Sequence, residues 1–165
     1  MNILIAVTSK HGSTREIADA ISDELRQAGH NVEVRDAQSA PLVDIYDAVI
    51  AGSAIYMGHW MGEAKAFVER NRGHFSGKPV WLFSSGPLGE DHPEDMGIPA
   101  TLDELLEQTG ARDHQVFVGR LDKSELGFGE RLISKVVKAP EGDFRDWDAI
   151  RAWAREIAQQ LAASE

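Results

Sequence analysis

The chain has no cysteine. That absence excludes disulfides, thiolate zinc sites, cysteine-ligated iron–sulfur clusters and cysteine nucleophiles, so any redox chemistry has to come from a bound cofactor. Positive charge is scarce as well: 17 Lys and Arg stand against 27 Asp and Glu, for a formal net charge of -10. Such a surface repels phosphate backbones and anionic membranes on average, which argues against nucleic acid as a partner and leaves only a local basic patch for either. No basic segment precedes the apolar residues 1–7, and the run is too short to cross a bilayer. It reads as a strand and not as an export signal, and the expected compartment is the cytoplasm. Repeats, low-complexity stretches and linkers are missing, and a length of 165 residues suits one domain, residues 1–165. There is no Walker A loop, no GxGxxG dinucleotide fingerprint and no Gly-x-Ser-x-Gly hydrolase elbow.

What is present is an alternation of strands and helices. Residues 3–7 form a continuous apolar run, as a strand buried on both faces does. The helix after it has Ser13 and Glu16 at capping-box spacing, Ile17, Ile21, Leu25 and Ala28 on one face, and Gly29 as a left-handed stop. Residues 31–35 and 48–52 read as strands, and 62–72 as a helix burying Ala64, Phe67 and Val68. Pro79 introduces a strand over 80–83, Thr101 and Glu104 cap a helix ending at Gly110, and a last strand spans about 115–121. A C-terminal helix carries Trp147, Ile150, Ala154, Ile157 and Leu161 on one stripe. The expected fold class is α/β, a doubly wound five-stranded parallel sheet with helices on both faces and a ligand crevice outside the carboxyl ends of the strands.

Three loops lie at that end. In the first, Ser9, Ser13 and Thr14 with Gly12 sit between a buried strand and a helix start, where free N–H groups attract an anion; they either cradle a monophosphate or simply cap the helix. In the second, Tyr56 and Trp60 either cover a planar heterocycle or fill the core, and Gly58 lets backbone approach a ring edge. The third, Ser84-Ser85-Gly86-Pro87-Leu88-Gly89, is either a source of backbone donors or an ordinary turn. Weaker constellations are the acidic stretch 90–95, a cation site or a solvated loop, and His59 with Glu63, placed to share a helix face. Residues 127–138 mix Leu132, Ile133, Val136 and Val137 with Arg131, Lys135 and Lys138, an amphipathic pattern suited to a membrane surface or to packing on the domain.

The stretch Thr8-Ser9-Lys10-His11-Gly12-Ser13-Thr14 resembles the phosphate loop of flavodoxins, and the alternation over nearly the whole chain is similar to that fold. Three stretches bring the resemblance closer to the flavodoxin-like, quinone-dependent protoporphyrinogen oxidases: Gly12-Ser13-Thr14-Arg15-Glu16-Ile17-Ala18, Ser53-Ala54-Ile55-Tyr56-Met57-Gly58-His59, and Asp146-Trp147 leading into Ala154-Arg155-Glu156-Ile157-Ala158. The resemblance implies FMN, with its phosphate on Ser9, Lys10, His11, Gly12, Ser13 and Thr14. Its ring would lie between Ala54, Ile55, Tyr56, Met57 and Gly58 on one side and Ser85, Gly86, Pro87, Leu88 and Gly89 on the other. It also implies a porphyrinogen-like small-molecule substrate and a quinone or redox protein as electron partner, with peripheral membrane contact; a flavodoxin-type electron carrier and a quinone or small-molecule reductase are the alternatives. Two departures stand out. His11 occupies a position where flavodoxins usually have Thr, and residues 84–99 contain no aromatic where many carriers place a Tyr over the flavin, which leaves room for a substrate. Residues 121–143 sit where those oxidases carry a long insertion, and are less aromatic and less basic than it.

Overall fold

Five parallel strands, β1 (Asn2–Thr8), β2 (Asn31–Asp36), β3 (Ala48–Tyr56), β5 (Val80–Ser85) and β6 (Asp113–Phe117), run in the order β2-β1-β3-β5-β6. A two-residue strand, β4 (His59–Trp60), pairs antiparallel with the end of β3 and makes the sheet six-stranded. The computed structural model describes residues 1–86, 101–121, 142–143 and 145–164. Among the described residues the α-helices are α1 (Ser13–Gln27), α2 (Gly62–Arg70), α3 (Leu102–Thr109) and α4 (Trp147–Ala162).

Side-chain alternation along β1 divides the core in two. Ile3, Ile5 and Val7 pack with Ile17, Ile21 and Leu25 of α1 and Ile150, Trp153 and Ile157 of α4. Leu4 and Ala6 point the other way, into Ala64, Phe67 and Val68 of α2 and Leu105 of α3. Both faces of the sheet are therefore covered, which is what its near-continuous apolar strands require. Because β2 and β3 flank β1 on opposite sides, the chain order reverses between β1 and β3, and a crevice opens at their carboxyl ends.

Local signals decide the ends of the elements. At the end of α1, Gly29 takes a φ of 93°, its N–H donates to Arg26 O and the N–H of His30 to Leu25 O, the paired bonds of a Schellman stop. Asp146 caps α4 by accepting from Ala149 N at 3.0 Å. The expected capping boxes do not form. Gly12, in a left-handed conformation, is the N-cap of α1, which puts Ser13 one position too late, and Thr101 caps α3 without a side-chain hydrogen bond.

Three boundaries also differ from expectation. β3 runs on through Ala54, Ile55 and Tyr56 because β4 folds back against it, so those residues are strand and not loop. Ser84 and Ser85 likewise finish β5. The last strand starts earlier, at Asp113, and residues beyond Phe117 leave the main sheet: β7 (Arg120–Leu121) pairs antiparallel with β8 (Gly142–Asp143). The acidic stretch 90–95 and the amphipathic pattern 127–138 lie outside the described residues. Among the described residues, no helix is long and apolar enough to cross a membrane.

Candidate functional site

Strand register brings the three loops together. Thr8 is level with Ser53, Ser53 with Ser84, and Ala54 with Ser85, so the segments that follow β1, β3 and β5 emerge side by side. Two contacts join them: Lys10 Nζ lies 4.5 Å from the centroid of the Tyr56 ring, and Gly86 packs against Ile55, whose Cβ is 3.5 Å from where a Cβ on that glycine would sit.

At the first loop, Gly12 at φ 83° turns the chain from β1 into α1 and offers no side-chain cap. The N–H groups of the first helical turn therefore point outward without an intrahelical partner. Ser9 Oγ and Thr8 Oγ1 are buried beside this turn and have no hydrogen-bond partner among the described residues. Thr14 is almost fully buried in the same turn. A buried hydroxyl without a partner is costly in a folded protein, and here it accompanies uncapped amide donors at the positive end of a helix, a donor set that fits a phosphate monoester.

The second loop is a tight hairpin. Ile55 pairs with Trp60 and Tyr56 with His59, leaving a two-residue turn, Met57-Gly58. Both turn residues have positive φ, 51° and 78°, as in a type I′ turn; Met57 is the one non-glycine residue with positive φ among those described. The neighbours hold this conformation in place. Ser53 Oγ donates to Ala54 O at 2.8 Å and accepts from Met61 N at 3.0 Å, and the Trp60 indole N–H donates to Ser84 Oγ at 2.8 Å. Trp60, at 2% exposure, is core and covers no ligand, whereas Tyr56 and Met57 at the tip are exposed. His59 belongs to β4 and Glu63 to α2, so they share no helix face, and no cluster of His, Asp and Glu among the described residues has the makings of a metal site.

Of the third loop, Ser85 is buried in β5, and Gly86, at φ 124°, donates its N–H to Phe117 O at 2.9 Å. Pro87, Leu88 and Gly89 lie outside the described residues. Ser84, behind the loop, joins a polar chain that runs from the buried Trp60 to the half-buried His114. Its Oγ accepts from the Trp60 indole N–H and lies within hydrogen-bond distance, 2.7 Å, of His114 Nε2. Burial pushes His114 down to about 4, against the opposing pull of Asp113.

Two features of this region had no sequence signal of their own. The partners in the Trp60–Ser84–His114 chain are 24 and 30 residues apart. Arg145, which reaches the first turn of α1, is 129 residues from its partner Glu16.

A sheet of this order, with an uncapped helix start at its switch point, defines the flavodoxin class of α/β protein. The chain belongs to the flavodoxin domain family, whose model matches residues 4–148. It is 25% identical over 174 residues to the protoporphyrinogen IX dehydrogenase [quinone] of Escherichia coli K12, covering 96% of this chain and 95% of that protein. It is 26% identical over 176 residues to the flavodoxin of Nitratidesulfovibrio vulgaris Miyazaki F, covering 97% and 99% respectively. The structure of oxidised flavodoxin 1 from Bacillus cereus shares the fold with a TM-score of 0.65 at 17% identity, over 96% of this chain and 98% of that one. The cofactor of this flavodoxin-like protein is FMN.

Proposed function

We propose that the protein is an FMN-dependent oxidoreductase that takes hydrogen from a planar, porphyrinogen-like substrate and passes the electrons to a quinone. One observation carries this reading above all. Tyr56 is the one exposed aromatic side chain among the described residues, Trp60 is buried, and the sequence of residues 84–99 has no aromatic to cover a second ring face. A flavin with one open face accepts a planar molecule at the near-contact distance that direct hydride transfer demands, whereas a carrier needs only an exposed edge. The likeness to the Escherichia coli dehydrogenase along 96% of the chain points the same way.

In this reading the N–H groups of the first turn of α1, with the hydroxyls of Ser9, Ser13 and Thr14, hold the FMN phosphate, and Lys10 and His11 flank it. Ala54, Ile55, Tyr56, Met57 and Gly58 line one side of the ring, and Ser85 to Gly89 the other. Gly86 has already committed its N–H to Phe117, so its part is to bring backbone close to the ring. When bound, FMN supplies the two-electron chemistry, and the chain supplies placement and electrostatics. Each turnover removes two hydrogens from the substrate and delivers them to the quinone as a quinol. We place the protein in the cytoplasm with peripheral membrane contact, which the amphipathic pattern of residues 127–138 supports.

The second reading is a flavodoxin-type carrier, favoured by the equally long match to the Nitratidesulfovibrio flavodoxin. Anaerobic mixing of the holoprotein with protoporphyrinogen separates the two. The oxidoreductase reading predicts bleaching of the flavin's visible absorption and its recovery on adding a menaquinone analogue. Flavin that stays oxidised with protoporphyrinogen yet exchanges single electrons rapidly with a flavodoxin reductase makes the protein a carrier.

A further inference from the structure

The start of α1 is braced from behind by a residue far along the chain. The Arg145 side chain is only 3% exposed, and it is oriented by a two-pronged bond to Asp143, Nε to Oδ1 at 2.8 Å and Nη2 to Oδ2 at 2.6 Å. Its guanidinium lies 4.5 Å from the centroid of the Trp147 ring. From there Nη1 donates to the Ser13 carbonyl at 3.3 Å and to Glu16 Oε2, and Arg120 Nη1 approaches Glu16 Oε1 at 3.8 Å.

This arrangement acts on the phosphate loop in two ways. First, Gly12 gives α1 no side-chain cap, so the bond to the Ser13 carbonyl contributes to fixing the direction of the first-turn N–H groups. Second, Glu16 is an acid in the first turn of the helix and competes with any anion for its positive end. Arg145 and Arg120 neutralise it. Asp143 in turn balances Arg145, so the cluster adds little net positive charge and serves mainly to aim the donors and silence a repulsive carboxylate.

We propose that Arg145 is a positioning residue for the phosphate group of the flavin, setting the preference for FMN over riboflavin without touching the cofactor. The inference rests on placing the phosphate at residues 9–14. A merely structural role would change the binding of both flavins alike, and a positioning role only that of the phosphorylated one.

The test is titration of the apoprotein with FMN and with riboflavin, followed by flavin fluorescence, for the wild type, Arg145→Lys, Asp143→Asn and Thr14→Val. Arg145→Lys keeps the charge but loses the fork, and FMN binding is expected to weaken about tenfold with riboflavin binding changed less than about twofold. Asp143→Asn, which keeps the side chain's shape at an exposed residue, is expected to shift the ratio about threefold in the same direction. Equal weakening of both flavins in the Arg145 and Asp143 variants, or no change in either, overturns the proposal. If Thr14→Val lowers the ratio while they leave it intact, the positioning role fails and the phosphate site stands. If the wild type binds riboflavin as tightly as FMN, the phosphate site itself is wrong.

Discussion

Met57 holds a φ of 51° at an exposed hairpin tip, a conformation that costs a non-glycine residue about 1 kcal/mol or more. Asparagine adopts it readily, and Asn-Gly is the pair type I′ turns favour. Met57→Asn is therefore expected to raise stability by about 0.5–1 kcal/mol, read as a higher denaturant midpoint with an unchanged slope. Behind the same turn, Ser84 holds the buried Trp60 N–H and the half-buried His114 ring at once. Ser84→Ala strands the Trp60 N–H and is expected to cost about 1–3 kcal/mol in the same experiment. A cost below about 0.5 kcal/mol would mean that water or another group replaces the hydroxyl. Neither role was legible in the sequence. Ser84 read as one of a run of small loop residues, and nothing local distinguished Trp60 as core from Trp60 as ring cover, since only the pairing of β4 with β3 turns it inward.

The βα units were legible because their signals are local. A buried apolar run followed by an apolar stripe and Gly29 suffices for β1 and α1, and an apolar stripe for α4. The boundaries that slipped were those set by a partner strand. β3 continues past Gly52 because β5 and β4 pair with its last residues, and that information lies elsewhere in the chain. Gly52 itself shows what such pairing demands. It is level with Phe83, and a Cβ there would lie 2.1 Å from Phe83 Cζ, while the ring is hemmed in by Phe117 and Trp153, each with its centroid 6.2 Å away. Gly52→Ala is expected to displace the ring and destabilise the protein by about 1–3 kcal/mol, measurable as a lowered thermal midpoint. Of the candidate site, the first loop was legible as a Ser/Thr-rich turn into a helix, but the bracing of that helix by Arg145 was not, because it links opposite ends of the chain.

For the molecule as a whole, the half-buried His114 ties stability to pH. Its folded pKa of about 4 lies below the ordinary 6.5, so between those values the unfolded chain binds more protons than the folded one and stability rises with pH. The loss of stability it causes is expected to be absent above pH 6.5 and to grow to about 2 kcal/mol as pH falls towards 4, after discounting for partial exposure. Asp143, held below the usual carboxylate range by Arg145, adds a separate loss that sets in only at still lower pH. Urea denaturation at a series of pH values should show the first slope, and His114→Gln should flatten it; an unchanged slope would assign it to other groups. The proposed open flavin face also belongs to the whole molecule, since it needs the hairpin tip, the phosphate turn and an aromatic-free third loop to converge on one cofactor. Its most direct measurement is porphyrin fluorescence under anaerobic conditions, with holoprotein, protoporphyrinogen and excess menaquinone analogue together. Protoporphyrin is expected to accumulate through many turnovers per flavin, at a rate proportional to protein concentration. Porphyrin formation no faster than in the protein-free mixture, from a preparation whose flavin a flavodoxin reductase readily reduces, would contradict it.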